Sequence, residues 1–305
     1  MALMQRLDTQ VEELANRIET ALPEDGSIEP LPGLHLTRST VQRELVYGVL
    51  KPTFCITAAG AKEVYAGECR YLYDQQHYLI ATAELPVRGV RLMPDDRPYL
   101  AMMVDLDPAL VGSVMIEAGI SSSNTRIDSK ALGVSPLDPD ILDAAIRLVK
   151  VIDSPSHARM LVPLIKREIV YRLLTGEQAQ RLSHFPSPSG QRHVIAQALQ
   201  RLRREFDQPL RIESLARELG MSSTRFHHHF KAVTDMTPLQ FQKQLRLQEA
   251  RRLMVCEDLD ASSASYRVGY DDPSYFSRDY KKHFGQAPMR DVAQLKTAST
   301  GSSGA

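Results

Sequence analysis

The sequence has few of the features that mark secreted or membrane proteins. Its 305 residues include three cysteines, Cys55, Cys69 and Cys256, an odd number without a CxxC pair, so no disulfide framework is expected. The N-terminus "MALMQRLDTQVEEL" lacks the apolar run of a signal peptide, and no apolar run approaches the roughly 18 to 20 residues of a membrane-spanning helix. These absences predict a cytoplasmic protein in a reducing setting, without a membrane partner.

A surplus of charge of one sign is also absent. Lys and Arg number 37, and Asp and Glu number 37, so the total charge favours no particular partner. Between Gly190 and Arg290, however, 17 Lys and Arg stand against 12 Asp and Glu, and five of the nine histidines lie there. The C-terminal third is therefore the basic part of the chain. The length and the 43% hydrophobic content suffice for two ordinary domains.

The first third of the chain has a helical start followed by β-prone runs. Apolar residues at spacings of three and four predict a helix that docks on the domain or pairs with another helix: Leu7, Val11, Leu14, Ile18 and Leu22. Prolines and glycines in "LPEDGSIEPLPGL" then break this helix. From 34 to 106, short β-prone runs separated by turn residues predict a compact antiparallel sandwich or barrel. Closing such a sheet can leave an internal pocket for a small ligand.

Helices are predicted after Pro108, where the strands are expected to stop. The segments "ALVGSVMIEAG", "DPDILDAAIRLVKVID" and "SHARMLVPLIKREIVYRLLTGEQAQRL" have helical spacing, and Gly176 is expected to end the longest helix. Their apolar faces either cover one side of the barrel or form a dimer surface.

Three adjacent histidines occur in the basic third of the chain, within "FHHHF" at 226–230. On an α-helix, Phe226 and Phe230 share one face and the histidines spread over the other sides. Adjacent histidines on a helix do not converge on one metal ion, and an affinity tag would lie at a terminus, so both interpretations are disfavoured. The surroundings predict an amphipathic helix "RIESLARELG" ended by Gly220, a turn "MSS" with a capping serine, and a second helix "TRFHHHFKAVT". This order is typical of a helix-turn-helix motif, whose second helix lies in the DNA major groove.

A second copy of the motif follows 50 residues later. The stretches "ELGMSSTRFHHHFKAVTDMTP" and "RVGYDDPSYFSRDYKKHFGQAP" have matching residue types, so that Phe226 corresponds to Phe276 and Phe230 to Tyr280. Between them, "LQFQKQLRLQEARRLM" is a long, basic, amphipathic helix that would hold the motifs at a fixed separation. Held in this way, the second helices of the two motifs would contact successive major-groove segments of the DNA, about 34 Å apart.

The two motifs and their connecting helix resemble the AraC/XylS family of bacterial transcription regulators. The residues that carry the resemblance are "SLARELGMSSTRFHHHFKAVTDMTPLQFQKQLRLQEARRLM" and "VGYDDPSYFSRDYKKHFGQAPMRD". A looser resemblance to the sensor domain of one branch of that family is carried by "VYGVLKPTFCITAAGAKEVYAGECRYLYDQQHYLIATAELPVRGV", "PYLAMMVDLD" and "LVPLIKREIVYRLLTGEQAQRL". The expected fold class is therefore α+β: an N-terminal cupin-like β-barrel with flanking helices, and a C-terminal all-α domain of two helix-turn-helix motifs joined by a long helix.

The resemblance also predicts the domain bounds. Residues 1–185 would form the cupin-like sensor and dimerisation domain, and 191–291 the AraC-type DNA-binding domain. The proline- and serine-rich stretch "HFPSPSGQ" at 184–191 is predicted to be the linker. The small, polar tail at 292–305 is predicted to be disordered.

The resemblance implies DNA-contacting positions on the second helix of each motif. The base-reading positions fall on Thr224, His227 and His228 in the first motif, with Arg225 beside them, and on Pro273, Ser274 and Arg278 in the second. Arg278 can bridge O6 and N7 of guanine as a bidentate donor, whereas each histidine can give one hydrogen bond to a base edge or a phosphate. Phosphate contacts, which make binding salt-dependent, are expected from Arg225, Lys231, Lys281 and Lys282. An ordinary solvated charge is the alternative for each lysine.

Three departures from the family's pattern are present. Asp235 stands where the family prefers glycine, and aspartate tolerates a left-handed backbone moderately well, so the turn is expected to survive. Ala264 and Ser265 replace a larger aliphatic residue and an alanine, which is expected to loosen the first helix of the second motif. Pro273 begins the next helix, where proline is accepted but offers no hydrogen bond to a base. The second motif is therefore expected to bind DNA more weakly than the first.

The sensor domain has no catalytic arrangement in its sequence. His35, His77, Cys55 and Cys69 lie on different predicted strands without the clustered HxH spacing of cupin metal sites, so no metal or other cofactor is expected. Candidate ligand-binding residues are arginines that suit a phosphate or carboxylate and tyrosines that suit a pocket wall: Arg70, Arg88, Arg91, Tyr47, Tyr71 and Tyr73. Surface charge on a hairpin and ordinary core packing are the alternatives.

These observations together predict a transcription regulator, not an enzyme, that binds double-stranded DNA as a homodimer. A small-molecule effector in the barrel is expected to shift the population of two arrangements of sensor and DNA-binding domain, and so to change promoter occupancy or contact with RNA polymerase. Two alternatives stay open: a cupin-type metal enzyme fused to a DNA-binding module, and a DNA-binding protein whose barrel only dimerises. The sequence names neither the effector, nor the operator, nor the direction of control.

Overall fold

The computed structural model describes residues 2–93, 97–121, 130–185 and 191–301. The chain divides into two compact units: Met1–His193 with Ala232–Asp235, and Val194–Lys231 with Met236–Ala305. We call them the N-terminal unit and the C-terminal unit. Most of the linker predicted at 184–191 lies outside the described residues, and the predicted domain bounds remain a prediction.

Strands fill the middle of the N-terminal unit and helices flank them. In chain order its elements are α1 (Ala2–Ala21), β1 (Gly26–Leu31), β2 (Leu34–Ser39), β3 (Arg43–Leu50), β4 (Thr53–Ala59), β5 (Ala61–Ala66), β6 (Cys69–Tyr73), β7 (His77–Ala81), β8 (Leu85–Leu92), β9 (Tyr99–Asp105), α2 (Pro108–Glu117), β10 (Leu132–Pro136), α3 (Pro139–Lys150), α4 (Pro155–Thr175) and α5 (Ala179–Ser183). A short 3₁₀ turn joins α3 to α4. Gly176 caps the end of α4, as predicted.

The strands form two antiparallel sheets. The larger sheet has the order β1-β2-β9-β4-β7-β10, and the smaller sheet has the order β3-β8-β5-β6. The β-prone runs predicted between 34 and 106 all form strands. The predicted α+β fold class, with a β-sheet domain followed by a helical domain, is confirmed.

The larger sheet is buried on both faces. Its central strand β4 is buried at every position. Because successive side chains alternate across a strand, Phe54 and Ile56 of β4 share one face with Leu100 and Met102 of β9. These side chains join the main hydrophobic core with residues of α1, α3 and α4, such as Leu14, Leu142 and Ile169. The other face of the larger sheet therefore turns towards the smaller sheet.

Helix α1 docks on this core. Its Leu14 and Ile18 are fully buried, and the helix packs against α3, β4 and β9. Burial of such a side chain stabilises the fold by roughly 1.5 to 3 kcal/mol. Docking is therefore the alternative that the structure supports for the apolar stripe of α1.

Two strands lie where the sequence predicts none. Strand β1 falls in the proline-rich segment expected only to break α1, and β10 falls after Pro108, where the strands are predicted to stop, so that prediction is wrong. Both are edge strands, and an edge tolerates Pro30 in β1 because one side of the strand needs no donor. The run in β10 is short, and its pairing with β7, as in Gly133 opposite Ile80, comes from a tertiary contact.

The C-terminal unit is made of helices. In chain order they are α6 (Gln191–Arg204), α7 (Ile212–Glu218), α8 (Ser223–Thr234), α9 (Pro238–Cys256), α10 (Ala261–Arg267), α11 (Pro273–Phe284) and α12 (Pro288–Gly301). Helices α7 and α8 form the first predicted motif, α10 and α11 form the second, and α9 is the connecting helix. Aromatic rings hold the core together: Phe230 lies 5.6 Å from Phe226 and 5.5 Å from Phe241, measured between ring centroids.

The tail predicted to be disordered begins as a helix. Helix α12 continues to Gly301, so the prediction is wrong for residues 292–301, and Val292 is buried. The reason is tertiary: the neighbouring Asp291 accepts hydrogen bonds from the Arg251 guanidinium at 2.8 Å and from the Tyr280 hydroxyl at 2.7 Å. The last four residues lie outside the described ranges.

Candidate nucleic-acid interface and sensor cavity

The second helices of the two motifs, α8 and α11, expose the same positions. Over eight consecutive positions from the start of each helix, the order of exposed, half-buried and buried residues is identical. Phe226 and Phe230 in α8, like Phe276 and Tyr280 in α11, are fully buried. The correspondence of the two stretches at 50 residues is therefore confirmed in three dimensions. The side opposite the aromatic rings is the exposed side of each helix.

The turns before these helices depend on glycine. Gly220 has φ +70° and Gly269 has φ +85°, a left-handed backbone that side chains disfavour. A backbone N–H of α8 donates to the Ser222 hydroxyl at 3.3 Å, and one of α11 donates to the Asp272 carboxylate at 2.7 Å. The capping serine predicted in "MSS" is thus present. Gly220 and Gly269 are 49 positions apart, whereas the first residues of α8 and α11 are 50 positions apart. The turn before α11 is therefore one residue longer than the turn before α8.

The end of each second helix has the same backbone conformation. Asp235 after α8 has φ 61°, and Gly285 after α11 has φ 85°. The prediction that the turn survives aspartate is therefore confirmed. Pro238 then begins α9 and Pro288 begins α12, at the helix position where proline's missing N–H costs nothing.

The exposed side of α8 carries the residues predicted to contact DNA. Thr224, Arg225, His228 and Lys231 are exposed, and His227 is half-buried. The rings of His228 and His229 stack at 5.5 Å between centroids, and Nε of Arg225 donates to Nε2 of His229 at 3.3 Å. His229, which has no role in the sequence prediction, is therefore a hydrogen-bond partner of Arg225.

The exposed side of α11 carries a different set of side chains. Ser274, Arg278, Lys281 and Lys282 are exposed, and Pro273 is the half-buried first residue of the helix, as predicted. The Arg278 guanidinium carbon lies 4.4 Å from the centroid of the Tyr275 ring.

Tyr275 is a surface residue that the sequence reasoning missed. Tyr275 is 61% exposed although its ring is large and apolar. The face of this ring contacts the Arg278 guanidinium in a cation–π interaction. The available signal was its position, since Tyr275 corresponds to Arg225 in the first motif and therefore had to lie on the same exposed face.

One arginine of the connecting helix α9 ties the two motifs together. Arg246 donates to the carbonyl of Phe206, which precedes α7, at 2.7 Å and to the carbonyl of Gly269 in the second turn at 2.6 Å. Burial lowers the pKa of its guanidinium from the ordinary value. A Cβ at Gly269 would lie 1.9 Å from the carbonyl oxygen of Asp207. The predicted rigid frame thus depends on backbone groups of both motifs meeting around Arg246.

The helix α11 has further polar anchors. Asp279 accepts from the Tyr270 hydroxyl at 3.3 Å and pairs with Nζ of Lys243, on α9, at 2.5 Å. Burial and the hydrogen bond to Asp291 raise the pKa of Tyr280, so its hydroxyl stays protonated and donates.

A second candidate site is a cavity of about 170 Å³ between the two sheets of the N-terminal unit. Strands β1, β2 and β9 of the larger sheet and all four strands of the smaller sheet contribute to its wall. Two of the predicted ligand-binding residues, Arg91 and Tyr73, line it. Burial raises the pKa of Tyr99, a further lining residue, to about 12 and that of Tyr73 well above its ordinary value, so both phenols are neutral at pH 7.

Of the other four candidates, Arg70, Arg88 and Tyr47 lie on the outer face of the smaller sheet. Arg70 pairs with Glu63, and the guanidinium carbon of Arg88 lies 4.2 Å from the Tyr65 ring centroid; both arginines are exposed on the outer face of the smaller sheet. Tyr47 stands opposite Arg88 in the register of β3 and β8, so it lies on the same outer face. Tyr71, on the edge strand β6, is not among the described residues that line the cavity.

Lys62 is a cavity residue that the sequence reasoning missed. It occupies an inward position of β5, on the same side as Val64, and both line the cavity. A cation that shares the apolar face of an alternating strand was a visible signal in "AKEVYAG".

The candidate metal ligands do not form a cluster. His35 pairs with Asp105 at 3.2 Å, and His77 pairs with Asp74 at 2.7 Å in a turn. Across the part of the chain that the structure describes, no group of three or more His, Cys, Asp and Glu side chains is arranged to hold a metal ion. Within those same ranges, no helix is long and apolar enough to cross a membrane.

Comparison with known proteins agrees with this geometry. The family model "AraC-type transcriptional regulator N-terminus" matches residues 30–181, and the model "Helix-turn-helix domain" matches 215–293. The regulator CdhR of Pseudomonas aeruginosa is 28% identical over 153 residues, which are 50% of this chain and 46% of CdhR. The activator RhaS of Salmonella schwarzengrund is 24% identical over 162 residues, which are 53% of this chain and 58% of RhaS. The chain thus spans about half the length of the curated relatives it matches.

Solved structures extend the likeness in fold to most of the chain. ToxT from Vibrio cholerae superposes with a TM-score of 0.56 at 9% identity, covering 88% of this chain and 98% of ToxT. The fold defines a class of protein with two parts. The first part is a β-sheet domain that contains a cavity, and the second part is a helical domain in which one helix connects two helix-turn-helix motifs with exposed second helices. Within that class, the chain belongs to the AraC/XylS family of transcriptional regulators.

Proposed function

We propose that the protein is a sequence-specific DNA-binding transcription regulator, acting in the cytoplasm under the control of a small molecule. The observation that carries the DNA-binding part is the matching exposure of α8 and α11, which leaves polar and basic side chains on equivalent helix faces. Family membership supports the same function. We propose a regulator and not an enzyme, because one matching family model describes the N-terminus of AraC-type transcriptional regulators and the other describes a helix-turn-helix domain.

The two surface helices have different roles in reading DNA. Arg278, oriented by the ring of Tyr275, reads a guanine through its bidentate donor pair, while Ser274 and Pro273 approach the backbone or a base edge. Thr224, His227 and His228 read the other half of the site by single hydrogen bonds. Four cationic side chains contact phosphates and make the affinity salt-dependent: Arg225, Lys231, Lys281 and Lys282.

The connecting helix sets the geometry of the DNA site. Because Arg246 joins backbone carbonyls of both motifs, α8 and α11 act as one body. We propose that they enter successive major-groove segments on one face of the duplex, about 34 Å apart. The operator then has two short blocks of sequence one helical turn apart.

The cavity between the sheets is the proposed effector site. Its wall combines neutral tyrosines with two cationic side chains and apolar residues, which suits a small polar ligand. ToxT, whose fold is similar, has been solved with a bound unsaturated fatty acid and with (E)-4-(8-methylnaphthalen-1-yl)but-3-enoic acid. Effector binding would then change promoter occupancy by shifting the population of two conformations.

We propose that the protein acts as a homodimer and an activator. Helix α4 has an exposed apolar stripe, in which Met160 is 70% and Leu164 is 57% exposed. Tyr171, which is also exposed, lies on the same side of the helix two turns after Leu164. Contiguous exposed apolar side chains mark association surfaces. Activation through contact with RNA polymerase is proposed because the RhaS relatives are activators.

Genome-wide mapping of bound sites tests the proposed function. It is expected to recover a two-block sequence that the purified full chain binds, with an affinity that falls steeply as salt rises. Combining His228→Ala with Arg278→Ala, one change on each surface helix, should abolish preference for that sequence. Arg252→Ala serves as the matched control, because Arg252 is an exposed arginine paired with Glu249 on α9. Absence of a recovered sequence, or an unaltered preference of the double variant, would reject the proposal.

A further inference from the structure

The exposed side of α11 includes a large aromatic ring, that of Tyr275. The residue is 61% exposed, and its hydroxyl makes no hydrogen bond to any residue that the structure describes. By contrast, the hydroxyls of Tyr270 and Tyr280 in the same motif donate to the carboxylates of Asp279 and Asp291. The ring of Tyr275 is therefore part of the surface of the motif and not of its core.

The neighbour of this ring on the surface is Arg278. Its guanidinium carbon lies 4.4 Å from the ring centroid, because residues three apart share one face of a helix. Within the described ranges, the side chain of Arg278 makes no hydrogen bond or ion pair. In the first motif the position of Tyr275 is taken by Arg225, which donates to a ring nitrogen of His229. The pairing of an exposed aromatic ring with an arginine is thus particular to α11.

The spacing of the two side chains matches the spacing of base pairs. Three residues of an α-helix span about 4.5 Å along its axis, and successive base pairs of a duplex lie about 3.4 Å apart. Tyr275 is the third residue of α11, and the N-terminal residues of such a second helix contact base edges. When Arg278 bridges O6 and N7 of a guanine, the ring of Tyr275 is therefore within reach of the adjacent base pair.

The chemistry of the ring restricts which base it can recognise. The guanidinium of Arg278 covers one face of the ring, so the other face and the ring edge are left for the DNA. Base edges in the major groove present hydrogen-bond donors and acceptors, and the apolar group among them is the C5 methyl of thymine. A ring pressed against polar base edges would desolvate them without giving a hydrogen bond, whereas contact with a methyl group removes apolar surface from water.

We propose that Tyr275 reads a thymine through its C5 methyl, at the base pair next to the guanine bound by Arg278. The second motif then selects a step of two base pairs, with a guanine read by hydrogen bonds and a thymine, on either strand, read by apolar contact. The inference rests on the proposed function, because it adds one specified base to the site that α11 reads.

Selection from a randomised DNA pool with the purified full chain tests the proposed step. The guanine position is identified as the one whose preference is lost in Arg278→Ala, and a thymine preference is expected at a base pair next to it. Tyr275→Ala should lose the thymine preference, and Tyr275→Phe, which keeps the ring, should retain it. Tyr266→Ala is the matched control, because Tyr266 is a 58% exposed tyrosine on α10, the first helix of the same motif. A natural chain without a thymine preference beside the guanine, or a Tyr275→Ala variant that retains one, would overturn the inference.

Replacing that thymine by uracil removes the methyl group and leaves the hydrogen-bonding groups in place. The natural chain should bind the uracil duplex about fourfold more weakly, the effect of one buried methyl group. Tyr275→Ala should bind both duplexes equally, whereas Tyr266→Ala should keep the fourfold difference. Equal binding of the two duplexes by the natural chain would mean that the ring only orients Arg278, and the inference would be wrong.

The same measurements separate this inference from the proposed function. Sequence-selective binding that is indifferent to uracil would overturn the reading of thymine and leave the proposed function intact. Absence of any sequence-selective binding by the natural chain would overturn both. Because the ring of Tyr275 is on the surface, Tyr275→Ala should melt at the same temperature as the natural chain, and a large loss would show a structural role instead and overturn the assignment.

Discussion

The two helix-turn-helix motifs share their buried side and differ on their exposed side. Aromatic rings, a turn glycine and a left-handed residue after the second helix recur in both motifs. On the surface, α8 carries the stacked rings of His228 and His229, whereas α11 carries Arg278 on the ring of Tyr275. Residues at buried positions are constrained by close packing, whereas residues at exposed positions are constrained only by what they bind. The two motifs therefore share one buried frame and carry two different exposed surfaces.

The motifs also differ in how tightly their turns pack. Gly269 approaches the carbonyl of Asp207 so closely that no side chain fits, whereas an added Cβ at Gly220 meets nothing within 4 Å. The α11 helix is further held through Asp279 and Lys243. The turn of the second motif is therefore packed against the rest of the C-terminal unit, whereas the turn of the first motif is open to solvent at the equivalent glycine.

The largest expected effect is the loss of stability on replacing the second turn glycine. Gly269→Ala adds a steric clash with the Asp207 carbonyl to the strain of φ +85°, so we expect a cost of about 3 kcal/mol or more. Gly220→Ala carries only the backbone strain, about 1 to 2 kcal/mol. Scanning calorimetry of the full-length variants measures both. Equal losses would contradict the difference in packing.

The next effect concerns the reading surfaces. Arg278→Ala should lose about 1 to 3 kcal/mol of discrimination at one base position in one half of the site. His228→Ala, at the equivalent position of α8, should lose less, because one hydrogen bond replaces a bidentate pair. Selection from a randomised DNA pool measures both preferences. An unchanged preference of Arg278→Ala would remove this residue from the readout, and an unchanged preference of combined His227→Ala and His228→Ala would make those histidines bystanders.

A smaller effect distinguishes the caps of the first helices. Asp260 caps α10 through two backbone N–H groups, which lower the pKa of its carboxyl, whereas Arg211 at the start of α7 makes no such side-chain bond. Because the folded pKa is depressed, the cap stabilises α10 above the ordinary carboxyl pKa of about 4 and is lost as the pH falls through the folded value.

Asp260→Ala should therefore lower the melting temperature at pH 7, and its difference from the natural chain should shrink below about pH 4. Arg211→Ala is the control and should show no such pH dependence. A constant difference from pH 7 to pH 3 would contradict the cap.

The smallest effect is expected in the core of the second motif. Ser265 of α10 is fully buried, its hydroxyl donates to the Ser262 carbonyl at 2.7 Å, and its counterpart in the first motif is Ala216. Ser265→Ala should raise stability by about 0.5 to 1 kcal/mol, since alanine favours the helix and buries no polar group. The reverse change Ala216→Ser should lower it by a similar amount. Destabilisation by Ser265→Ala would show that the hydroxyl is needed.

Local patterns were sufficient for the two helix-turn-helix motifs, although not for α12. The spacing of Phe226 and Phe230 predicts the buried face of α8, and its recurrence predicts α11, because a helix face follows from residues three and four apart. Edge strands β1 and β10 could not be predicted in the same way, since a short run forms a strand only when a neighbour supplies its hydrogen bonds.

The residues of the two candidate sites also differ in how far the sequence predicts them. The exposed residues of α8 and α11 follow from helix periodicity, and the structure has them where the pattern predicts. The cavity does not follow, because strand register decides which of Arg88 and Arg91 points inward and which residue faces it. Three predicted ligand residues consequently lie outside, and Lys62 lies inside.

The sequence by itself determined the two motifs, their exposed faces and the family, because these depend on contacts a few residues apart or on a repeat. Only the tertiary structure decided the cavity, where Lys62 meets Arg91, and the frame, where Arg246 reaches the carbonyls of Phe206 and Gly269. These groups are distant in sequence. Their meeting depends on sheet register and on the packing of a whole helix, which no local pattern encodes.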